Sequence, residues 1–120
     1  MKRILVVDDS RSLRQMVAYT LQQSGYEVIE AEDGVQALEV AQNGAFDLVL
    51  TDQNMPRKDG LTLIADLRRQ QEFSTTPLLV LTTECGTEMK IQARAAGATG
   101  WIVKPFDPQR LIEVVARMIG

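Results

Sequence analysis

The 120-residue sequence predicts an open, doubly wound α/β domain, with one parallel sheet of five strands covered by helices on both faces. Three observations predict it. Short apolar runs alternate five times with segments whose apolar residues recur at helical spacing. The runs are apolar at successive positions instead of every second one, so both faces of each strand are suited to burial, as in a parallel sheet between helix layers. Residues with chemical capability follow the strands: Asp8, Asp9, Asp52, Thr82 and Lys104 each stand at or just after the end of an apolar run.

The elements follow in order. Residues 4–7 form the first strand, and Ser10 is placed to cap a helix carrying Leu13, Met16, Val17 and Leu21 on its apolar face before Gly25 ends it. Residues 27–31 read as a second strand. Residues 33–42 read as a helix with Val35, Leu38 and Ala41 on one side, closed by Asn43-Gly44. Residues 46–51 make the third strand. An unusually polar connection, 52–60, follows with Pro56 and the Asp59-Gly60 turn signal, then a helix over about 61–70. Residues 77–82 are a fourth strand rich in Leu and Val, 87–96 a weaker Ala-rich helix, and 100–103 a fifth strand. Asp107 as cap with Pro108 at the first helical position starts a last helix with Leu111, Ile112, Val115 and Ile119 inward. No linker or low-complexity tract interrupts this series. The chain reads as one domain over residues 1–120, long enough for its own core.

Composition narrows the function. A net charge of −3 lacks the clustered Lys/Arg excess of a nucleic-acid footprint, so binding of nucleic acid is not expected. The apolar run after Met1-Lys2-Arg3 ends in two acids and is too short for a signal peptide, and no stretch approaches the roughly 18 apolar residues of a membrane span. A cytoplasmic protein is expected, with no membrane partner. The single cysteine, Cys85, cannot form an internal disulfide and reads as an incidental, partly buried thiol. With no histidine, the usual zinc sites are excluded, and a metal must be held by oxygen.

Open α/β sheets bind ligands outside the carboxyl ends of their strands. Singly, each polar residue there has a structural explanation: Asp8 or Asp9 as a helix cap, Asp52 as a turn residue, Thr82 as a β-branched strand end, Lys104 as a solvated lysine. Together they place three carboxylates, a hydroxyl and an ammonium at one edge. At an effective dielectric of about 20, two unit charges 4 Å apart interact by roughly 4 kcal/mol, so the carboxylates call for a cation among them. Mg²⁺, which prefers oxygen ligands and keeps several waters, is the natural candidate.

VVDD with Asp8-Asp9, TDQNMPRKDG around Asp52, LTTE with Thr82 and KPF with Lys104 resemble the receiver domain of two-component response regulators, in particular its single-domain, CheY-like chemotaxis branch. The resemblance spans essentially the whole chain. It implies a flavodoxin-like sheet of order 2-1-3-4-5 and a cis Lys104-Pro105 peptide. It also implies that Asp52 is the phosphoacceptor, taking a phosphoryl group from a CheA-like sensor histidine kinase. Asp8, Asp9, Asp52 and the backbone carbonyl of Asn54 would hold Mg²⁺, and Lys104 and Thr82 would contact the phosphoryl group. Thr82 and Trp101 would form the switch, Trp101 standing where the family usually has Tyr or Phe, and would alter the face made by the fourth helix, fifth strand and fifth helix. Thr87, Lys90 and Arg94 give that face its own character. Asn54 and Glu84, two residues beyond Asp52 and Thr82, would tune dephosphorylation.

So read, the chain is a signalling switch that catalyses its own phosphorylation and dephosphorylation, with no other enzymatic activity. The implied output partner is a protein such as the flagellar motor switch, and a phosphatase is a further candidate partner. With no linker or second domain after the last helix, output is expected through protein binding, unless the chain is a piece of a longer protein. Two alternatives stay open: a stand-alone receiver in another phosphorelay, and a non-phosphorylated receiver-like interaction module. Such modules usually lack a key acid or the lysine, and none is missing here. A haloacid dehalogenase-type phosphatase separates its two aspartates by one residue, whereas Asp8 and Asp9 are contiguous. A flavodoxin needs a first loop that cradles phosphate, and the acidic DDSRS loop would repel it.

Overall fold

Every apolar run becomes a strand. A computed structural model describes residues 1–84 and 86–120. Cys85, and with it the reading of its thiol, lies outside the described residues. In chain order the elements are β1 (Arg3–Val7), α1 (Arg11–Gln23), β2 (Glu27–Ala31), α2 (Gly34–Gln42), β3 (Leu48–Asp52) and α3 (Gly60–Arg68). A 3₁₀ turn (Gln71–Phe73) precedes β4 (Leu78–Thr82), α4 (Thr87–Ala96), β5 (Gly100–Val103) and α5 (Pro108–Ile119). The five strands are parallel in the order β2-β1-β3-β4-β5. Fold class and strand order are those expected.

Strand alternation sorts the core into two layers. Ile4, Val6, Leu48, Leu50, Leu79, Leu81 and Ile102 pack with Val17 and Leu21 of α1 and Leu111, Val114 and Val115 of α5. Leu5, Val7, Val49, Leu78 and Val80 pack on the other side with Ala37 and Ala41 of α2, Leu63, Ile64 and Leu67 of α3, and Met89 and Ala93 of α4. The leucines and isoleucines of β1, β3 and β4 are fully buried, each stabilising the fold by about 1.5–3 kcal/mol relative to exposure. Edge strand β2 instead exposes Glu27 and Glu30.

Several boundaries shift for local reasons. Asp33 is the cap of α2, its carboxylate accepting from the Gln36 N–H at 2.8 Å, so the helix begins at Gly34. β3 starts two residues later than expected because Phe46 and Asp47 serve the β1 edge. The Arg3 guanidinium lies 4.8 Å from the Phe46 ring centroid, and Asp47 accepts from the Arg3 N–H at 2.8 Å. α3 ends at Arg68, whose guanidinium donates to the Gly97, Phe73 and Thr76 carbonyls and to Thr99 Oγ1 and so binds the chain into a turn. Burial lowers the pKa of this guanidinium. Helix faces rotate slightly as well: Ala18 is buried on α1 while Met16 is exposed, and Val114 of α5 is buried while Ile112 and Ile119 are half-buried. On α2 the small Ala37 joins Ala41 against the sheet, and Val35 and Leu38 flank it.

Candidate functional site

The carboxyl edge of the sheet carries the acids. Asp8 directly follows β1 and Asp52 is the last residue of β3, the adjacent strand, so parallel pairing alone brings their backbones side by side. Asp9 joins them: one carboxylate oxygen from each of Asp8, Asp9 and Asp52 lies within 4.8 Å of the others. Asp8 and Asp52 are buried, and Asp9 is exposed.

Asp8 is held from several sides. Its N–H donates to the Ala31 carbonyl at 3.1 Å, and its own carbonyl accepts from Arg14 Nη1 at 2.8 Å. Asp8 Oδ1 accepts from the Ser10 N–H at 2.8 Å, but Oδ2 is buried with no hydrogen-bond partner. Burial pushes the Asp8 carboxyl up from 3.8 to about 6. The Ser10 N–H opposes this, Asp52 and Asp9 add repulsion, and Lys104 offsets part of it.

Lys104, one residue beyond β5, forms an ion pair with Oδ1 of Asp52. That contact lacks hydrogen-bond geometry, so Oδ1 also counts among the buried oxygens with no hydrogen bond. One ammonium therefore faces three carboxylates. Asp8 Oδ2 is a buried hard donor without a partner, Asp52 Oδ1 has the Lys104 ammonium beside it but no hydrogen bond, and the donor set is all oxygen. These features fit a small divalent cation such as Mg²⁺.

Thr82 ends β4, and its Oγ1 accepts from the Glu84 N–H at 3.0 Å without donating to any described group. The Lys104 N–H donates to the Thr82 carbonyl at 2.8 Å, and the Lys104-Pro105 peptide is cis, as the resemblance implies. Trp101 is half-buried on β5. Pairing sets Thr82 opposite Val103 and Val80 opposite Trp101, so Thr82 and Trp101 share the sheet face covered by α2, α3 and α4. Asn54 lies exposed in the β3–α3 connection, and Glu84 is exposed just beyond Thr82. Asp8, Asp9, Asp52 and Lys104 thus converge, Thr82 stands beside them, Asn54 and Glu84 follow the strand ends at exposed positions, and Trp101 lies two residues below the end of its strand.

Some residues that shape the site carried no recognised signal. Arg14 grips the Asp8 carbonyl and the Glu30 carboxylate, yet in sequence it is one more polar position of an amphipathic helix. Gln53 accepts from the Leu61 N–H at 2.8 Å through its side chain and from the Gly60 N–H at 3.0 Å through its carbonyl, tying the loop back to α3. Gly60, read as a turn residue, is a close-approach residue: a Cβ there would lie 2.4 Å from the Asp52 carbonyl oxygen.

A doubly wound sheet whose carboxyl edge gathers three acids and a lysine defines a class, the α/β domains with an oxygen-lined cation site at the strand ends. Within it, the chain belongs to the family of response regulator receiver domains, whose model matches residues 4–116. It is 42% identical over 120 residues to the chemotaxis protein CheY1 of Helicobacter pylori, covering 98% of this chain and 97% of that protein. Its structure is similar to that of the chemotaxis protein CheY4 of Vibrio cholerae, with a TM-score of 0.95, 47% identity and 98% of each chain covered. The receiver domain of a Pseudomonas aeruginosa sensor histidine kinase, solved with a magnesium ion coordinated in its active site cleft, has a TM-score of 0.90 at 28% identity, with 99% of this chain and 98% of that chain covered.

Proposed function

We propose that this chain is the phosphoryl-accepting switch of a chemotaxis-type two-component system, and that residues 1–120 form the whole receiver unit. The observation that carries the reading is the meeting of Asp8, Asp9 and Asp52 within 4.8 Å, with Lys104 against Asp52. Asp52 is the nucleophile: its carboxylate attacks the phosphorus of a kinase phosphohistidine and forms a P–O bond. The P–N bond breaks, and the imidazole leaves with its electron pair and takes a proton from solvent. Asp8, Asp9, Asp52 and the Asn54 carbonyl would hold Mg²⁺, which would supply positive charge against the negative charge of the acceptor and the phosphoryl group. Lys104 adds a second positive charge at the acceptor. Thr82 has a hydroxyl proton free to donate to a phosphoryl oxygen.

Signalling follows from the shared face of Thr82 and Trp101. Movement of Thr82 toward the phosphoryl group opens space beside Trp101, whose rearrangement alters the surface of α4, β5 and α5. The partners proposed are a CheA-like histidine kinase upstream, a flagellar motor switch protein downstream and a phosphatase that resets the signal. Asn54 and Glu84 set the lifetime of the acyl phosphate. Among the described residues no helix is long and apolar enough to cross a membrane, in keeping with a cytoplasmic switch.

The test is intact mass after incubation with acetyl phosphate, with and without Mg²⁺, for the natural protein and Asp52→Asn. One phosphoryl adduct that needs both Mg²⁺ and Asp52 is expected. No adduct, together with no response to beryllofluoride, would make the chain a receiver-shaped interaction module.

A further inference from the structure

The β3–α3 connection, which carries Asn54, is clamped at its tip by charge. Its root is tied by backbone and amide bonds: the Gln53 N–H donates to the Leu81 carbonyl at 2.9 Å and the Gly60 N–H to the Gln53 carbonyl at 3.0 Å. Apart from the Asp59 carbonyl, which accepts from the Leu63 N–H at the start of α3, the one described backbone bond between them is local. The Lys58 N–H donates to the Pro56 carbonyl at 2.7 Å, closing a three-residue turn around Arg57. Arg57 has φ of 67°, the one positive φ at a non-glycine among the described residues. A γ-turn with positive φ at its centre is rare and strained, and a branchless glycine would adopt it more easily.

Arg57 nevertheless stands there, and its side chain shows what it does. Nη2 lies 2.5 Å and Nε 3.1 Å from Oδ2 of Asp33, a residue 6% exposed. The other oxygen of Asp33 is occupied by the Gln36 N–H of α2. The Gln36 amide, against the penalty of burial and with the help of Arg57, holds the Asp33 carboxyl below its ordinary value. Asp33 is therefore a fixed anion on a rigid helix start, and Arg57 is the group that reaches it from the loop. Beside this pair, Lys58 is pressed against Gly34, where a Cβ would lie 2.7 Å from the Lys58 Cβ, and Lys58 is ion-paired with Asp66 of α3.

We propose that the Arg57–Asp33 pair is a positioning tether that holds the β3–α3 loop against the start of α2 and so fixes the Asn54 carbonyl in place for Mg²⁺. The inference rests on the metal reading given above. Neither Arg57 nor Asp33 touches the reacting atoms. Their effect is to keep a loop that has no ladder of its own in the one arrangement that completes the donor set, in the way residues outside a metal's ligand set commonly raise affinity.

Two variants cut the tether differently. Arg57→Gly removes the guanidinium while relieving the strained backbone, and Asp33→Asn removes the charge while keeping an oxygen to cap α2. Mg²⁺ binding is measured by titration calorimetry for the natural protein, both single variants and the double variant, with melting temperature recorded alongside. Each single variant is expected to weaken Mg²⁺ binding by about tenfold, at the low end for outer-shell partners, and the double variant to weaken it no further. Arg57→Lys should recover part of the loss. Variants that bind Mg²⁺ as tightly as the natural protein, whatever their melting temperatures, overturn the tether, and so do losses that multiply in the double variant. A natural protein that binds no Mg²⁺ overturns the metal reading instead, a result distinct from either.

Discussion

Lys104 reaches across the end of β4 to pair with Asp52 at the end of β3, so a cation borne by the edge strand compensates a buried carboxylate two strands away. Removing one partner of a buried pair leaves the other uncompensated, which is worse than having neither. Lys104→Met should lower stability by about 1–3 kcal/mol in chelator, since the lysine is partly solvated. Added Mg²⁺ should restore part of that, because a divalent ion supplies the missing charge. Thermal unfolding with chelator and with Mg²⁺ checks both statements. Phosphorylation by acetyl phosphate should slow by a hundredfold or more, on the order of a lost charge-stabilising donor.

Asp8 makes the metal-free protein less stable as pH rises. Its carboxyl titrates near 6 in the folded chain and near 3.8 in the unfolded one, so between these values the native state holds a proton that the unfolded state has released. Stability from this group is complete below about pH 4 and is lost as pH climbs through 6, a change of about 3 kcal/mol over two pKa units. Asp8→Asn should stabilise the chelator-treated protein by about 2–3 kcal/mol at pH 7 and leave it unchanged at pH 4. Urea unfolding at the two pH values is the measurement, and equal gains at both would refute the assignment. The same proton competes with Mg²⁺, so affinity for the metal should fall as pH drops below 6.

The strands and helices were legible because each run of buried side chains has a period, and so was the acidic cluster, because parallel pairing sends Asp8, Asp52, Thr82 and Lys104 to one edge whatever the details of packing. Capping was legible too: Ser10 and Asp107 cap α1 and α5 as expected. Long side chains that bridge elements were not. Nothing in the sequence marks Arg14, Arg57 or Arg68, and only the fold brings the Asp8 carbonyl, the Asp33 carboxylate and the Gly97 carbonyl within their reach. Phe46 falls at the start of the expected third strand, whereas it lies beneath the Arg3 guanidinium before β3 begins.

Thr82 and the single tryptophan of the chain provide an optical test of the switch. Trp101 packs against the cluster between the sheet and α2, α3 and α4, on the face shared with Thr82. Beryllofluoride with Mg²⁺ should therefore change Trp101 fluorescence in the natural protein. Thr82→Ala removes the hydroxyl proposed to couple the site to Trp101, and its cost to the fold should be small because the bond it loses, to the Glu84 N–H, belongs to an exposed residue. The variant should bind Mg²⁺ normally and lose most of the fluorescence change, while Thr82→Ser keeps it. A full response from Thr82→Ala would remove Thr82 from the signalling path.

Gly60 opens α3 directly after its Asp59 cap, a helical position where alanine is ordinarily favoured over glycine. Geometry reverses that preference. A Cβ at residue 60 would meet the Asp52 carbonyl oxygen at 2.4 Å, the Gln53 Cα at 3.0 Å and the Asp52 carbonyl carbon at 3.1 Å, all backbone atoms that cannot swing aside. Gly60→Ala should destabilise the protein by about 1–3 kcal/mol, the usual range for overpacking, and should also displace Asp52 from its partners. Gly86→Ala is the control. Apart from its chain neighbours, no described atom lies within 4 Å of its Cβ position, so its cost should be that of a poorer helix cap alone, about 0.5–1 kcal/mol, with no effect on phosphorylation. Chemical unfolding of both variants, with the rate of phosphorylation by acetyl phosphate, separates the two effects. A stable Gly60→Ala protein that is phosphorylated at the natural rate would show that the close approach of α3 to Asp52 has no part in placing that carboxylate.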